Sequence, residues 1–313
     1  MSAPAILIHS RFLAARLAEW DPGDHPIHTL DDVARGMPAD LADSIEVLVS
    51  GGEPLDNALV DRLPRLRLVA CFSTGYAGID LAHLRARGIA LTSAGGVNAH
   101  DVADHAIALL FAWWHGIIRA DRLVRTGGWR NGTPPRPSLR GKKAGVVGLG
   151  RIGTAVANRL AAHEIEVAFW GPRDKPGVPY VRAASLIELA TRSDILIVTS
   201  RAVPENARQI DADVLRALGP AGMLINVARG FLIDEPALAA ALRDSTIAGA
   251  ALDVFDEEPT DPRRWQALEN VVLTPHLAGY TQEAGEDMFG QLRENICRHF
   301  AGQPLLSPVE DIV

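Results

Sequence analysis

Residues 146–153 read VVGLGRIG, two valines followed by Gly148, Gly150 and Gly153 in the spacing G-x-G-x-x-G. Alone the spacing is common in strand-to-helix turns, so its neighbours decide what it does. Upstream, 144–147 is a short apolar run. Downstream, RIGTAVANRLAAH (151–163) carries Ala and Leu at helical spacing, and 165–170 is a second apolar run. The result is a strand-helix-strand unit with the glycines at its first turn. There Gly148 permits the turn, Gly150 lets a pyrophosphate approach the backbone, and Gly153 lets the helix sit close to the strand. Amides around Arg151 and Ile152 would face the phosphates. The unit is read as a dinucleotide site, with a bare structural turn as the alternative.

Outward from this unit, short and nearly continuous apolar runs alternate with longer amphipathic stretches. They are AILIH (5–9), IEVLVS (45–50), LRLVACF (66–72), IALTS (89–93), KAGVVGL (143–149), VAFWG (167–171), DILIVTS (194–200), GMLINVA (222–228), IAGAAL (247–252) and NVVLTP (270–275). Strands that are apolar throughout belong in parallel sheets covered on both faces by helices, so the class is α/β, doubly wound. A long helix is expected over 101–120, and the Gly-, Pro- and base-rich 125–143 should be irregular. At 313 residues the chain is long enough for two domains.

Composition narrows the function. A formal charge of −7 with a pI near 5.8 offers no basic field, which argues against nucleic acid as a partner. Cys71 and Cys297 are far apart in apolar settings, so neither a disulfide framework nor a thiolate metal site is expected. The opening MSAPAILIHSRF has neither the basic nor the long apolar region of a secretory signal. The most apolar stretch, 102–120, contains Asp104, His105, His115 and Arg119, which fits a buried helix rather than a membrane span. A reducing, cytoplasmic setting is the expectation.

About twenty residues past the motif, where an acid binding the ribose 2′-hydroxyl would select NAD, FWGPRDKPG (169–177) has Gly171, then Arg173 and Lys175. A 2′-phosphate is not repelled there and an arginine could grip it, so NADP(H) is favoured. Asp174 keeps NAD(H) open if it faces the ribose, and the charges could also merely solvate a loop. Three polar residues then follow apolar runs: Arg229 in NVARG, Glu258 in LDVFDEEP and His276 in LTPHLAG. Carbonyl reduction needs a proton donor for the developing alkoxide, a carboxylate beside that donor, and a cation for a substrate carboxylate. Each of the three also has a structural reading, as a strand-end histidine, a helix-start acid and a surface ion pair.

With STGYAGIDL (73–81), GVNAHDVADHAIALL (96–110), GGW (127–129), LINVARG (224–230), DEPAL (234–238), GAALDVFDEEP (249–259), VVLTPHLAGYT (271–281) and GQPLLSPV (302–309) in this order, the chain resembles the D-isomer-specific 2-hydroxyacid dehydrogenases. Within them it is most similar to the NADPH-preferring glyoxylate/hydroxypyruvate and hydroxyphenylpyruvate reductases. The resemblance implies a Rossmann cofactor domain (99–283) inserted in a flavodoxin-like substrate domain (1–98 with 284–313), and a homodimer. It implies Arg229 for substrate, Glu258 as partner of the histidine, and His276 as general acid/base. Main-chain amides of Thr74, Gly75, Tyr76, Ala77 and Gly78 would hold the substrate carboxylate, and Asp253 the nicotinamide carboxamide. The implied cofactor contacts are Gly148, Leu149, Gly150, Arg151, Ile152, Gly153, Gly171, Arg173, Ser200, Arg201, Asn206, Val227, Ala228, Asp253, His276, Ala278 and Gly279, with no metal.

The chain departs from relatives at Pro172, where a basic residue is common, and in RAVPEN (201–206), where Arg201 replaces a proline and stands as a second candidate for a 2′-phosphate. Trp113, Trp114, Tyr76 and Trp129 are candidates for lining the pocket or for core positions. Two other functions stay open: an NAD-dependent dehydrogenase of another 2-hydroxy acid, and a cofactor-sensing corepressor-like protein without catalysis.

Overall fold

The computed structural model describes residues 3–33, 36–76, 78–131, 133 and 135–309. Apolar side chains can be buried at every position of a strand only when both faces of its sheet are covered. In the first sheet, Ile6 and Ile8 go to one core while Ala5 and Leu7 go to the other. Among the described residues this sheet comprises β1 (Ala5–Ile8), β2 (Ile27–Thr29), β3 (Ile45–Ser50), β4 (Leu68–Cys71) and β5 (Ala90–Thr92), in the order β2-β1-β3-β4-β5. All its pairings are parallel.

A second sheet is built alike from β6 (Lys143–Val147), β7 (Glu166–Trp170), β8 (Val181–Arg182), β9 (Ile195–Val198), β10 (Met223–Asn226), β11 (Gly249–Leu252) and β12 (Val271–Leu273). Ile195 and Ile197 point into one core, Leu196 and Val198 into the other, and all four are 0% exposed. The order β12-β11-β10-β9-β6-β7-β8 is parallel throughout and reverses direction between β6 and β9. In such sheets the crevice past the strand C-termini at the reversal is where ligands bind. The fold class is therefore α/β with two doubly wound parallel sheets.

The chain divides into two compact units, Met1–Asn98 with Thr281–Val313, and Ala99–Tyr280. The return to the first unit begins at Thr281 instead of 284, because the Thr281 side chain caps the helix Gln282–Phe300 by accepting from the Ala284 amide. The helix expected over 101–120 is two helices, Ala99–Trp114 and Ile117–Arg125. It breaks at Gly116, whose φ of +62° is left-handed. Strands β2 and β8 escape the reading of apolar runs because they are edge strands of three and two residues with no buried position.

Candidate active site

The turn after β6 is shaped for a phosphate. Gly148 has φ +92°, and its amide donates to the Trp170 carbonyl at 2.8 Å, fixing the end of β6 to the end of β7. A Cβ at Gly153 would collide with the Gly148 carbonyl, so only glycine lets the helix Arg151–Ala162 start this close. Gly150, the N-cap, offers no side-chain cap to the first-turn amides, and the space beside it is open. First-turn amides at the positive end of a helix, with open space beside Gly150, fit a pyrophosphate. Leu149 is buried, which leaves its backbone alone for a ligand, while Arg151 is exposed and Ile152 half-buried.

At the ribose end, Gly171 lies 3.9 Å from the Gly148 Cα, measured from the position a Cβ would take. Arg173 is exposed beside it. Ser200 lies against Gly148, and its hydroxyl accepts from Gln209 Nε2 at 2.7 Å. Asn206 uses its amide inside its own loop: Nδ2 donates to the Arg201 carbonyl at 2.7 Å and Oδ1 accepts from the Val203 amide at 2.9 Å. It thus shapes the segment carrying Arg201.

The polar residues of the second half converge at the C-terminal ends of β10, β11 and β12. After β10, Asn226 staples a turn, accepting from the Ala228 amide and donating to the Arg229 carbonyl, each at 3.0 Å. Gly230 has no room for a Cβ against the backbone of Phe255 and Asp256, so the Arg229 turn packs directly on the loop after β11. That loop is held by Glu235, 2% exposed, which accepts from the Asp256 amide at 2.6 Å and pairs with Arg264. Arg229 is half-buried; burial pulls its guanidinium below the usual arginine range, and the charge of Glu258 opposes that.

Glu258 Oε1 accepts from the Phe255 amide at 3.0 Å, and its Oε2 lies 2.7 Å from His276 Nδ1. Because a carboxylate only accepts, Nδ1 carries the proton and Nε2 is left to exchange one. His276 itself adopts a left-handed backbone, φ +54°, with its amide donating to the Asp253 carbonyl at 2.7 Å. The carboxylate of Asp253 then clamps the rest of this loop. Oδ1 accepts from Thr274 Oγ1 at 2.6 Å and the Leu277 amide at 2.8 Å, and Oδ2 from the Ala278 amide at 2.9 Å. His105, from the helix Ala99–Trp114, reaches Thr274 Oγ1 at 3.0 Å and Asp253 Oδ1 at 3.4 Å. Burial would raise the Asp253 carboxyl, but the hydrogen bonds from His105, Thr274, Ala278 and Leu277 prevail and bring it down to about 2.

Asp253 is 0% exposed, which is at odds with the direct contact to a nicotinamide that the resemblance implies; its carboxylate fixes the loop presenting His276. Val227, Ala228 and Ala278 are likewise buried, and Gly279 is half-buried. The sequence reading overlooked Asn226, Glu235, Thr274 and the role of His105. A histidine inside an apolar helix was the one signal available. Two of the aromatic candidates are structural: the indole of Trp113 donates to the Asn270 carbonyl at 2.8 Å and that of Trp114 to the Pro137 carbonyl at 2.9 Å.

In the first unit, the loop after β4 has its own network. Ser73 Oγ donates to the Gly75 carbonyl, Cys71 Sγ lies 3.3 Å from Ser73 Oγ, and the Gly78 carbonyl accepts from Leu55 at 3.0 Å. Burial pushes the Cys71 thiol up. Thr74, Gly75, Tyr76 and Gly78 are half-buried, and Ala77 lies outside the described residues. Among the described residues no group of His, Cys, Asp and Glu could hold a metal.

A phosphate-fitted glycine turn at the reversal of a parallel sheet, with a histidine-carboxylate pair past neighbouring strands, defines a dinucleotide-dependent oxidoreductase. The sequence comparisons give its family. Residues 107–278 match the model of the D-isomer specific 2-hydroxyacid dehydrogenase NAD binding domain. The chain is 40% identical over 270 residues to the hydroxyphenylpyruvate reductase of Plectranthus scutellarioides, covering 86% of each. It superposes on the 2-hydroxyacid dehydrogenase of Ketogulonicigenium vulgare with a TM-score of 0.88 at 38% identity, covering 99% of each chain. An NADPH-dependent glyoxylate/hydroxypyruvate reductase of Sinorhizobium meliloti, solved with NADP and malonate, also gives a TM-score of 0.88, at 34% identity over 99% of this chain and 98% of that one. The chain belongs to the D-isomer specific 2-hydroxyacid dehydrogenase family. It is an enzyme that works with a nicotinamide dinucleotide.

Proposed function

We propose that this enzyme reduces a short 2-oxo acid of the glyoxylate or hydroxypyruvate type to the D-2-hydroxy acid, with NADPH in preference to NADH. The observation that carries the reading is the 2.7 Å contact between His276 Nδ1 and Glu258, in the same cluster of strand ends as Arg229. The nicotinamide, when bound, supplies the hydride to the carbonyl carbon. His276 Nε2 gives its proton to the carbonyl oxygen as negative charge develops there, and Glu258 stabilises the ring before and after the transfer. Arg229 meets the substrate carboxylate and polarises the adjacent carbonyl. The loop 74–78 keeps the role its resemblance gives it, main-chain donors for a carboxylate.

NADPH is favoured by Gly171 at the position of the ribose-binding acid, by exposed Arg173 next to it, and by the NADPH-dependent relative. Relatives named for glyoxylate, hydroxypyruvate and hydroxyphenylpyruvate support the substrate class. The test is an absorbance assay offering glyoxylate, hydroxypyruvate, pyruvate and phenylpyruvate with each dinucleotide. Preferential NADPH oxidation with glyoxylate and hydroxypyruvate is expected. Turnover mainly with NADH, or with none of these acids, overturns the reading.

The same proposal extends to assembly and location. The helix Ile117–Arg125 buries none of its residues and leaves Ile117, Ile118, Leu123 and Val124 exposed, with Trp129 shortly after it 66% exposed. An apolar strip of this kind suits a second copy of the chain, as the family resemblance implies. Ile118→Asp with Val124→Asp is expected to convert a dimer into a monomer in sedimentation equilibrium, and a wild-type monomer refutes the assignment. No helix among the described residues is long and apolar enough to cross a membrane, and both cysteines are free, which suits the cytoplasm.

A further inference from the structure

The stretch after β7 reads Gly171-Pro172-Arg173-Asp174-Lys175, and Asp174 is its one carboxylate. It is not left to face a ribose. Asp174 Oδ1 accepts from Arg182 Nη1 at 2.6 Å. The same guanidinium donates to the Gly171 carbonyl from Nη2 at 2.8 Å and from Nε at 3.3 Å. Arg182 ends the edge strand β8 and stands in register with Phe169 of β7, so the sheet fixes where its side chain starts. Gly171 in turn packs against Gly148, the first glycine of the phosphate-binding turn. One guanidinium thus ties an acid and a carbonyl together at the end of β7, where a carboxylate on the ribose 2′-hydroxyl would select NAD.

We propose that Arg182 sets the coenzyme preference by holding Asp174 away from the ribose 2′ position. With Asp174 engaged, Arg173, Lys175 and Arg182 leave the loop net positive towards a 2′-phosphate. With Arg182 removed, the same loop acquires the free carboxylate that binds a ribose diol and repels a phosphate. The pair is exposed, 38% for Arg182 and 82% for Asp174, so it adds little to stability; its effect lies in the difference between two ligands. The proposal deepens the NADPH reading above and rests on it for direction only.

The test uses the full chain and reads dissociation constants for NADPH and NADH by fluorescence, without turnover. Arg182→Ala is expected to lower the NADPH-to-NADH affinity ratio by about tenfold, with NADH binding more tightly than in wild type. Asp174→Asn should leave the ratio as it is or raise it. The double variant Arg182→Ala/Asp174→Asn should recover most of the lost selectivity, because the liberated carboxylate is gone. Equal weakening of both dinucleotides by Arg182→Ala, or a double variant as unselective as Arg182→Ala, overturns the proposal. A wild type that prefers NADH refutes the NADPH reading alone, since the action of Arg182 is read from the change in the ratio.

Discussion

His276→Ala is expected to lower kcat by roughly a hundred- to ten-thousand-fold, the range spanned by losing a positioned general acid, and to weaken dinucleotide binding far less. The loss falls on kcat because the proton is needed only as the oxygen becomes an alkoxide. Glu258→Gln is expected to lose at least about a hundredfold, since an amide can donate to Nδ1 and leave the ring in the wrong tautomer. The double variant should be no slower than His276→Ala, because the 2.7 Å pair works as one unit. Steady-state and single-turnover kinetics on the four proteins settle it. Losses that multiply would separate Glu258 from the action of His276, and an intact kcat in His276→Ala would remove the histidine from the chemistry.

Asp253→Ala carries the second large effect, on stability and catalysis together. It leaves the amides of Leu277 and Ala278 and the hydroxyl of Thr274 without their acceptor in a buried site, at a cost of roughly 3 kcal/mol. It also frees the segment that holds His276 in a left-handed conformation, so kcat should fall although Asp253 is no proton donor. The pH dependence follows from the carboxyl lying at about 2, below its ordinary 3.8. A depressed folded-state value contributes stability above the unfolded value, here about 2 kcal/mol, and that stability is lost as pH falls from about 4 through 2. Denaturant unfolding of wild type and Asp253→Asn should therefore differ most at neutral pH and converge towards pH 2. A constant difference across that range would contradict the assignment, as would an Asp253→Ala enzyme that is unstable but turns over normally.

What the sequence disclosed follows from how local each feature is. Runs such as ILIV in β9 announce themselves because both faces of a central parallel strand must be apolar. The edge strand β8 is two exposed residues, with no apolar pattern to find. Arg229, Glu258 and His276 could be singled out because each follows an apolar run, and the structure puts them past β10, β11 and β12. The pairing of Arg182 with Asp174 and the contact of His105 with Thr274 were not legible, since each depends on a strand register or a helix face that brings distant residues together. Asp253 was noticed for a different reason from the one the structure supplies. A short acidic side chain at the end of a strand looks the same in sequence whether it faces a ligand or the backbone of the next loop.

The first unit is split in the chain, and this fixes an order of events during synthesis. Among the described residues its five strands lie within the first 98 positions, but Phe289, Leu292 and Ile296 of the helix Gln282–Phe300 fill one face of that sheet. Val309 then donates to the Leu91 carbonyl at 2.9 Å and covers the β5 edge. The second unit is one uninterrupted run and can close its core while the ribosome is still working. The first must wait, with an apolar face and a strand edge open, until residues 289–309 emerge. Nascent chains of this enzyme are therefore most vulnerable to aggregation through the unit that is made before the other and finished after it.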